Sequence, residues 1–183
     1  SQFGLGTATG IELPGERSGL VPTRQWKEQN RGEAWIKGET VSASIGQGYN
    51  LATPIQLAHA YSILAGRGVA QQPYLIKRLE TWDGRLVKDM SPNQTWSSGL
   101  DQEALELVRQ ALISAVEGPD ATGALAQVEG LSVAGKTATS QVVSLDLIKG
   151  LEPEEIPIKF RDHALFAAFA PADDPEIVVV VVV

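Results

Sequence analysis

The sequence contains no cysteine, no long apolar run and no block of basic residues. Without cysteine the fold is held without disulfides, which fits either a reducing or an oxidising compartment. No apolar run approaches the roughly 20 residues of a membrane-spanning helix, and the first residues do not resemble a signal peptide. With 15 Lys and Arg against 22 Asp and Glu, the net charge of −7 argues against a nucleic-acid partner.

The composition is that of an ordinary globular domain. Hydrophobic residues make up 43% and charged residues 20% of the 183 positions, which is enough for a core. We therefore expect residues 1–183 to form one domain or most of one. Because the chain stops abruptly in six valines, a strand that would promote aggregation if left unpaired, we expect it to be part of something longer.

The most distinctive chemistry lies at residues 130–143, where Lys136 and several hydroxyls interrupt an apolar, β-branched run. Such a run predicts a strand. In a regular strand Thr137 and Thr139 share a face, and Lys136 lies on the other. A strand of this kind can present hydroxyls and its own N–H groups to a substrate that carries a carboxylate and a carbonyl.

Two interpretations of this stretch compete. Residues 130–137 match G-x-x-x-x-G-K-[ST], the phosphate-binding P-loop. A P-loop needs a helix that begins at its lysine, whereas the residues on both sides of Lys136 favour a strand, and no later apolar strand ends in a magnesium-binding Asp. The alternative is the Lys-Thr-Gly element of the serine enzymes that react with penicillin, which residues 136–139 (Lys-Thr-Ala-Thr) resemble, with Ala138 in place of glycine.

A second segment, residues 46–66, strengthens that resemblance. Gly-Gln-Gly-Tyr at residues 46–49 leads to a predicted helix with Thr53 as N-cap and Gln56 completing a capping box. Apolar residues cover most of the circumference of this helix, so we expect it to be buried and His59 to be a core histidine with satisfied nitrogens. Gly-Gln-Gly followed by Ala-Thr-Pro-x-Gln-Leu is similar to class B penicillin-binding proteins, especially the elongation type known as penicillin-binding protein 2.

The remaining strand signals predict an antiparallel sheet. Three successive strands, at 131–143, 164–170 and 177–183, imply a meander, and residues 144–159 between the first two form a polar, acidic loop. Earlier in the chain, two short strands between residues 73 and 88 predict a hairpin. Together with the helices, these strands predict an α+β fold, an antiparallel sheet flanked by helices.

Three further expectations concern the connections and the second helix. Residues 1–32 are rich in Gly, Pro and Thr and are expected to be extended and full of turns. Asp101 caps a predicted helix that runs to about Val116. Its apolar face is expected to comprise Leu105, Val108, Leu112 and Ala115. Ser91-Pro92-Asn93 fits the S-x-N motif of the penicillin-reactive enzymes. In that family, however, the motif comes before the Gly-Gln-Gly segment, whereas Ser91 follows it in a polar connection, so we do not assign it a role.

The resemblance extends over nearly the whole chain and implies a function. Its members are bacterial cell-wall DD-transpeptidases, in which a serine attacks a D-Ala-D-Ala bond and an amine of another strand resolves the acyl-enzyme. By this resemblance Lys136 supplies positive charge, Thr137 and Thr139 bind the substrate carboxylate, and the Thr139 N–H is one of two oxyanion donors. The expected partners are peptidoglycan stem peptides, β-lactam antibiotics and cell-wall elongation proteins, at the periplasmic face of the inner membrane, with no cofactor and no metal.

The chain departs from the family pattern at two points. No serine is followed three residues later by lysine, so the S-x-x-K nucleophile and its base are expected outside residues 1–183, which would form the C-terminal part of one transpeptidase domain. Ala138 replaces a glycine that allows close packing of the strand. Two function classes follow: a fragment of a wall transpeptidase or a related carboxypeptidase or β-lactamase, and a non-catalytic member that binds wall peptides or proteins.

Overall fold

The computed structural model describes residues 1–91, 95–143, 147–152 and 154–183. The α-helices are α1 (Arg24–Arg31), α2 (Lys37–Ser44), α3 (Pro54–Ala65) and α4 (Gln102–Glu117). The strands are β1 (Val69–Gln71), β2 (Arg78–Glu80), β3 (Leu86–Asp89), β4 (Thr95–Ser97), β5 (Ala134–Ser140), β6 (His163–Ala170) and β7 (Ile177–Val182). Two short 3₁₀ turns lie at 124–126 and 158–160. Pro92 and Asn93 of the S-x-N match lie outside the described residues.

Helix α3 begins where the sequence predicts and organises the N-terminal third of the chain. The Thr53 hydroxyl accepts a hydrogen bond from the Gln56 N–H at 3.2 Å, and the Gln56 side chain accepts one from the Thr53 N–H at 2.9 Å. The fully buried Gln56 amide also donates to the carbonyls of Thr7 and Ser18, each at 2.7 Å. One capping side chain thereby fixes two distant turns of the N-terminal segment against the helix.

The main sheet is antiparallel, with strand order β5-β6-β7. Its register pairs Lys136 with Ala167 and Thr139 with Ala164. Helix α4 contacts β5, and α3 contacts β6 and β7, so the principal core lies between these helices and the sheet. That core comprises Leu64, Ala65, Leu105, Leu112, Ala134, Phe169 and Ala172. The predicted meander is confirmed, although β5 spans 134–140 rather than 131–143.

The buried face of α4 differs from the prediction at two positions, where residues 109 and 116 are buried in place of 108 and 115. The buried positions are Leu105, Arg109, Leu112 and Val116, whereas Val108 is largely exposed. Arg109 replaces an apolar residue because its guanidinium donates to the Leu64 carbonyl at 2.9 Å and to the Ala172 carbonyl at 2.6 Å. A buried cation is tolerated when its stem packs against apolar groups and its head finds acceptors.

Residues 1–32 are mostly turns, as expected, but α1 within them was not predicted, and neither was α2. Both helices are short and are held by contacts between them. The buried ammonium of Lys27 lies 2.7 Å from a carboxylate oxygen of Glu39 and donates to the Ala34 carbonyl at 3.0 Å. The hydrogen bond with Glu39 raises the pKa of Lys27, and the same bond lowers the pKa of Glu39. The pattern of apolar residues does not predict a helix that is stabilised by a tertiary ion pair of this kind.

Candidate active site

The predicted site strand, β5, is an outer strand of the sheet. Within the described residues it pairs with β6 only, so the other side of residues 136–140 is called here the open edge. No helix begins at Lys136, and residues 134–140 are a strand, which excludes the P-loop interpretation. An outer strand leaves a row of backbone N–H and C=O groups available to another group.

Lys136 and Thr137 come together at the open edge. The Lys136 ammonium donates to the Thr137 carbonyl at 3.0 Å and to the Thr137 hydroxyl at 3.3 Å. The Lys136 side chain starts on the opposite face of the strand, and its length lets the ammonium reach around the edge. The Thr137 hydroxyl also donates to the hydroxyl of Thr122 at 3.4 Å. A positive charge and two hydroxyls are thereby grouped beside exposed backbone, a combination that suits a carboxylate.

Thr139 lies two residues further along the same edge. Its carbonyl accepts a hydrogen bond from the side-chain amide of Gln47 at 3.3 Å. In an antiparallel ladder the N–H and C=O of one residue point to the same side. The Thr139 N–H therefore points toward the open edge as well, where it is available to an oxygen of a bound molecule.

Gln47 and Thr122 are the two residues of this cluster that the sequence analysis did not assign. Gln47 lies in the Gly-Gln-Gly segment, which was singled out as a motif without a role for its side chain. Thr122 lies in a stretch of small residues between α4 and β5, where no spacing or composition distinguishes it. Its contact with Thr137 depends on how the chain returns from α4 to the sheet, which is a property of the tertiary fold.

The turn that carries Gln47 is fixed by its own hydrogen bonds. The Gln47 N–H donates to the Ser42 carbonyl at 2.9 Å, and the Gln47 carbonyl accepts from the Asn50 side chain at 2.8 Å. Gly46 and Gly48 on either side have φ values of 78° and 73°, in the left-handed region that favours glycine. These glycines let the chain reverse sharply so that the glutamine between them reaches β5.

Below the open edge, Gly135 sets the distance between β5 and the side chains of β6. A Cβ at this position would lie 2.8 Å from both the Phe166 ring and the Ala168 methyl. A Cβ added at Gly123 would lie 3.4 Å from the same Phe166 ring. Glycine at 135 therefore gives Phe166 its place beneath the strand, and the ring in turn supports the backbone that bears Lys136 and Thr137.

Neither a metal-binding cluster nor a membrane-spanning helix is found in the described part of the chain. Over residues 1–91, 95–143, 147–152 and 154–183, no cluster of three or more His, Asp or Glu side chains is arranged to hold a metal ion. None of the helices in those same ranges has the length and apolar character needed to cross a membrane.

Comparison with known proteins identifies the family. The whole chain, residues 1–183, matches the family described as the penicillin binding protein transpeptidase domain. The peptidoglycan D,D-transpeptidase MrdA of Salmonella typhimurium (strain SL1344) is 37% identical over 185 residues, covering 100% of this chain and 29% of that protein. MrdA of Acinetobacter baumannii is 37% identical over 181 residues, covering 99% of this chain and 26% of that protein. The chain thus spans less than a third of these relatives' length.

Solved structures agree with this assignment. Pseudomonas aeruginosa penicillin-binding protein 2, in complex with WCK 5153, matches with a TM-score of 0.73 and 36% identity over 100% of this chain and 37% of that one. Helicobacter pylori penicillin-binding protein 2, in complex with MreC, matches with a TM-score of 0.77 over 99% of this chain and 30% of that one; at 24% identity it supports the fold alone. The expected α+β penicillin-binding fold is confirmed, and the chain belongs to the penicillin-binding protein transpeptidase domain family.

Proposed function

We propose that the protein carrying this chain is a peptidoglycan DD-transpeptidase that cross-links stem peptides through a serine acyl-enzyme. Residues 1–183 would form the C-terminal part of one transpeptidase domain, with the nucleophile and its base outside them. Membership of the family and 37% identity to relatives named D,D-transpeptidase support this proposal. The observation that carries it is the grouping of Lys136, Thr137 and the Thr139 N–H along the open edge.

This grouping matches the needs of an acyl-transfer substrate. The terminal carboxylate of a stem peptide would bind the Lys136 ammonium and the hydroxyls of Thr137 and Thr139. The carbonyl attacked by the serine would then lie along the edge, where the Thr139 N–H donates to the oxygen as negative charge develops. The charge of Lys136 also stabilises that oxygen and orders the hydroxyls that relay protons.

Antibiotics, partners and location follow from the same proposal. Penicillin-binding protein 3 of Mycobacterium tuberculosis is 29% identical to this chain and has been solved with aztreonam and with ampicillin. By similarity, β-lactams would acylate the same serine that stem peptides acylate. Cell-wall elongation proteins are the expected protein partners, and the enzyme would act at the periplasmic face of the bacterial inner membrane.

Acylation of the full-length protein by a fluorescent penicillin tests the proposal. We expect Thr139→Pro to slow acylation by about two to three orders of magnitude, because proline removes the oxyanion N–H. Thr139→Ala keeps the N–H and loses only the hydroxyl proposed to bind the carboxylate, so it is expected to weaken the binding of penicillin while slowing the covalent step far less than Thr139→Pro. A wild-type protein that is not acylated would instead favour the non-catalytic class, which binds wall peptides or proteins.

Ala138 tests whether the family's glycine matters at this position. Ala138 lies in register opposite Leu165, one residue before the proposed oxyanion donor. We expect Ala138→Gly to raise the acylation rate, since a methyl that shifts the strand by roughly 1 Å can cost up to about a hundredfold. Equal rates for the wild type and Ala138→Gly would mean that the methyl is accommodated without moving the donor.

A further inference from the structure

The contact between Gln47 and Thr139 joins two segments that are 92 residues apart in the sequence. It reaches the backbone of β5 from the open edge, the side on which the proposed oxyanion donor also lies. The acceptor is the carbonyl of Thr139 itself, so this contact acts on the same residue whose N–H would bind the oxyanion. This hydrogen bond therefore affects the position of the proposed oxyanion donor as well as the packing of the two segments.

The geometry of the two partners favours a directional role. Gln47 is half-buried, and its backbone is held on both sides, by Ser42 through the N–H at 2.9 Å and by Asn50 through the carbonyl at 2.8 Å. Thr139 is exposed and is the second-last residue of an outer strand. Outer strand ends fray easily, because the ladder supports them on one side only. The Gln47 amide, held in place by its own turn, therefore stabilises the end of β5.

Fixing the Thr139 carbonyl also fixes the direction of the Thr139 N–H. Both groups belong to one extended residue and point to the same side of the strand. An oxyanion donor is effective when it lies about 2.7–3.1 Å from the position of the developing charge. We propose that Gln47 is a positioning residue that holds the Thr139 N–H in this range; this inference rests on the function proposed above. Gln47 acts through the backbone of Thr139 and touches no reacting atom.

The test uses the full-length protein and separates the binding of penicillin from its covalent reaction. Rapid-mixing kinetics give the dissociation constant of the first complex and the rate constant of acylation. We expect Gln47→Ala to lower the acylation rate constant about tenfold, the worth of one hydrogen bond of ordinary strength. The dissociation constant is expected to stay within about twofold of wild type, because the carboxylate-binding groups are unchanged. Gln47→Glu, nearly isosteric but with an anionic acceptor facing the Thr139 carbonyl, is expected to lower the acylation rate constant at least as much as Gln47→Ala.

The matched control is Gln72→Ala. The Gln72 amide also donates to a backbone carbonyl of a distant segment, that of Gly10, at 2.7 Å, and it lies outside the cluster at the open edge. Its loss is expected to leave both kinetic constants unchanged. The infrared stretch of the acyl-enzyme ester, made with a carbonyl-labelled penicillin, supplies a second measurement. Weaker donation to that carbonyl in Gln47→Ala moves the stretch to higher frequency, which a merely structural role would not do.

The outcomes distinguish this inference from the proposed function. If Gln47→Ala and Gln47→Glu are acylated at the wild-type rate with an unchanged ester stretch, Gln47 has no positioning role, while the transpeptidase assignment stands. A lowered melting temperature with an unchanged ester stretch would likewise overturn the inference, since the bond would then serve the fold only. A wild-type full-length protein that no penicillin acylates would overturn both.

Discussion

Gln56, Lys27 and Arg109 are buried polar side chains that join separate elements of the fold. Each directs its polar head at carbonyls or carboxylates of other segments: Gln56 at the N-terminal turns, Lys27 at α2, and Arg109 at the end of α3. Buried groups of this kind cost stability when left unpaired and specify one arrangement when paired. In this chain they fix the N-terminal turns to α3, α1 to α2, and α4 to the end of α3.

His59 differs from these three residues. It is buried on α3, as predicted, but within the described residues neither ring nitrogen makes a hydrogen bond of good geometry, and only a weak contact with the Gln71 backbone opposes the effect of burial on its pKa. The ring lies against Gly4 and at 6.1 Å from the Trp96 ring, and it lines a cavity of about 300 Å³. Burial lowers the pKa of His59 from its ordinary value of 6.5. The folded protein therefore disfavours the charged form of this imidazole.

This pKa predicts a pH dependence of stability. The unfolded chain takes up a proton on His59 at a higher pH than the folded chain does. The burial of His59 therefore costs no stability above about pH 6.5, and the free energy of unfolding falls as the pH drops from there toward the folded pKa. We expect His59→Phe in the full-length protein to reduce this loss, measured as the melting temperature between about pH 7.5 and pH 5. His163→Phe, at the exposed start of β6, is the control. Parallel curves for His59→Phe and the wild type would contradict the prediction.

At the scale of the element, β5 depends on a close contact beneath it. At Gly135, Phe166 and Ala168 approach β5 so closely that an added Cβ would lie 2.8 Å from each of them. Overpacking in such a place typically costs about 1–3 kcal/mol. We expect Gly135→Ala to lower the free energy of unfolding by about this amount, and to slow acylation of the full-length protein because the strand is displaced.

Gly38 offers the matched control for this substitution. It lies in α2 with nothing within 4 Å of an added Cβ, so alanine there is expected to stabilise by about 0.4–1 kcal/mol. Chemical denaturation of both variants measures the two effects, which should have opposite signs. If Gly135→Ala were as stable as the wild type, Phe166 would have another position available, and the support it gives to β5 would not be specific.

The elements that the sequence predicts well are those with local signals. Helix α3 is predicted from Thr53 and Gln56, which both act within the first turn of the helix. Helix α2, with the sequence Lys-Gly-Glu-Thr-Val-Ser-Ala-Ser, has little helix propensity and buries no residue, and its Glu39 is tied to Lys27 of α1. No local pattern reveals such a tie. On α4, Arg109 is buried because distant carbonyls accept its hydrogen bonds, and the periodicity of apolar residues does not predict such contacts.

For the molecule as a whole, the candidate site is assembled from three separated segments. Lys136 and Thr137 were predictable because their chemistry and strand pattern lie in one stretch. The contributions of Gln47 and Thr122 depend on the turn after α2 and on the return from α4, so they became visible only in the fold. The chain covers 29% of the length of the Salmonella relative, which leaves room outside residues 1–183 for the serine and lysine that we propose to lie there.

The last prediction concerns the 183 residues by themselves. Covalent reaction with a β-lactam needs a nucleophile with a base beside it, and none of the serines here is followed three residues later by lysine. Within the described residues, the Lys136 ammonium donates to Thr137 rather than to a serine, so it activates none of them. We expect intact-mass spectrometry to detect no adduct after incubation of this chain with a penicillin, while the full-length protein gains the mass of one. A stable adduct on any serine of the isolated chain would contradict the prediction, and would place the nucleophile within these residues rather than upstream of them.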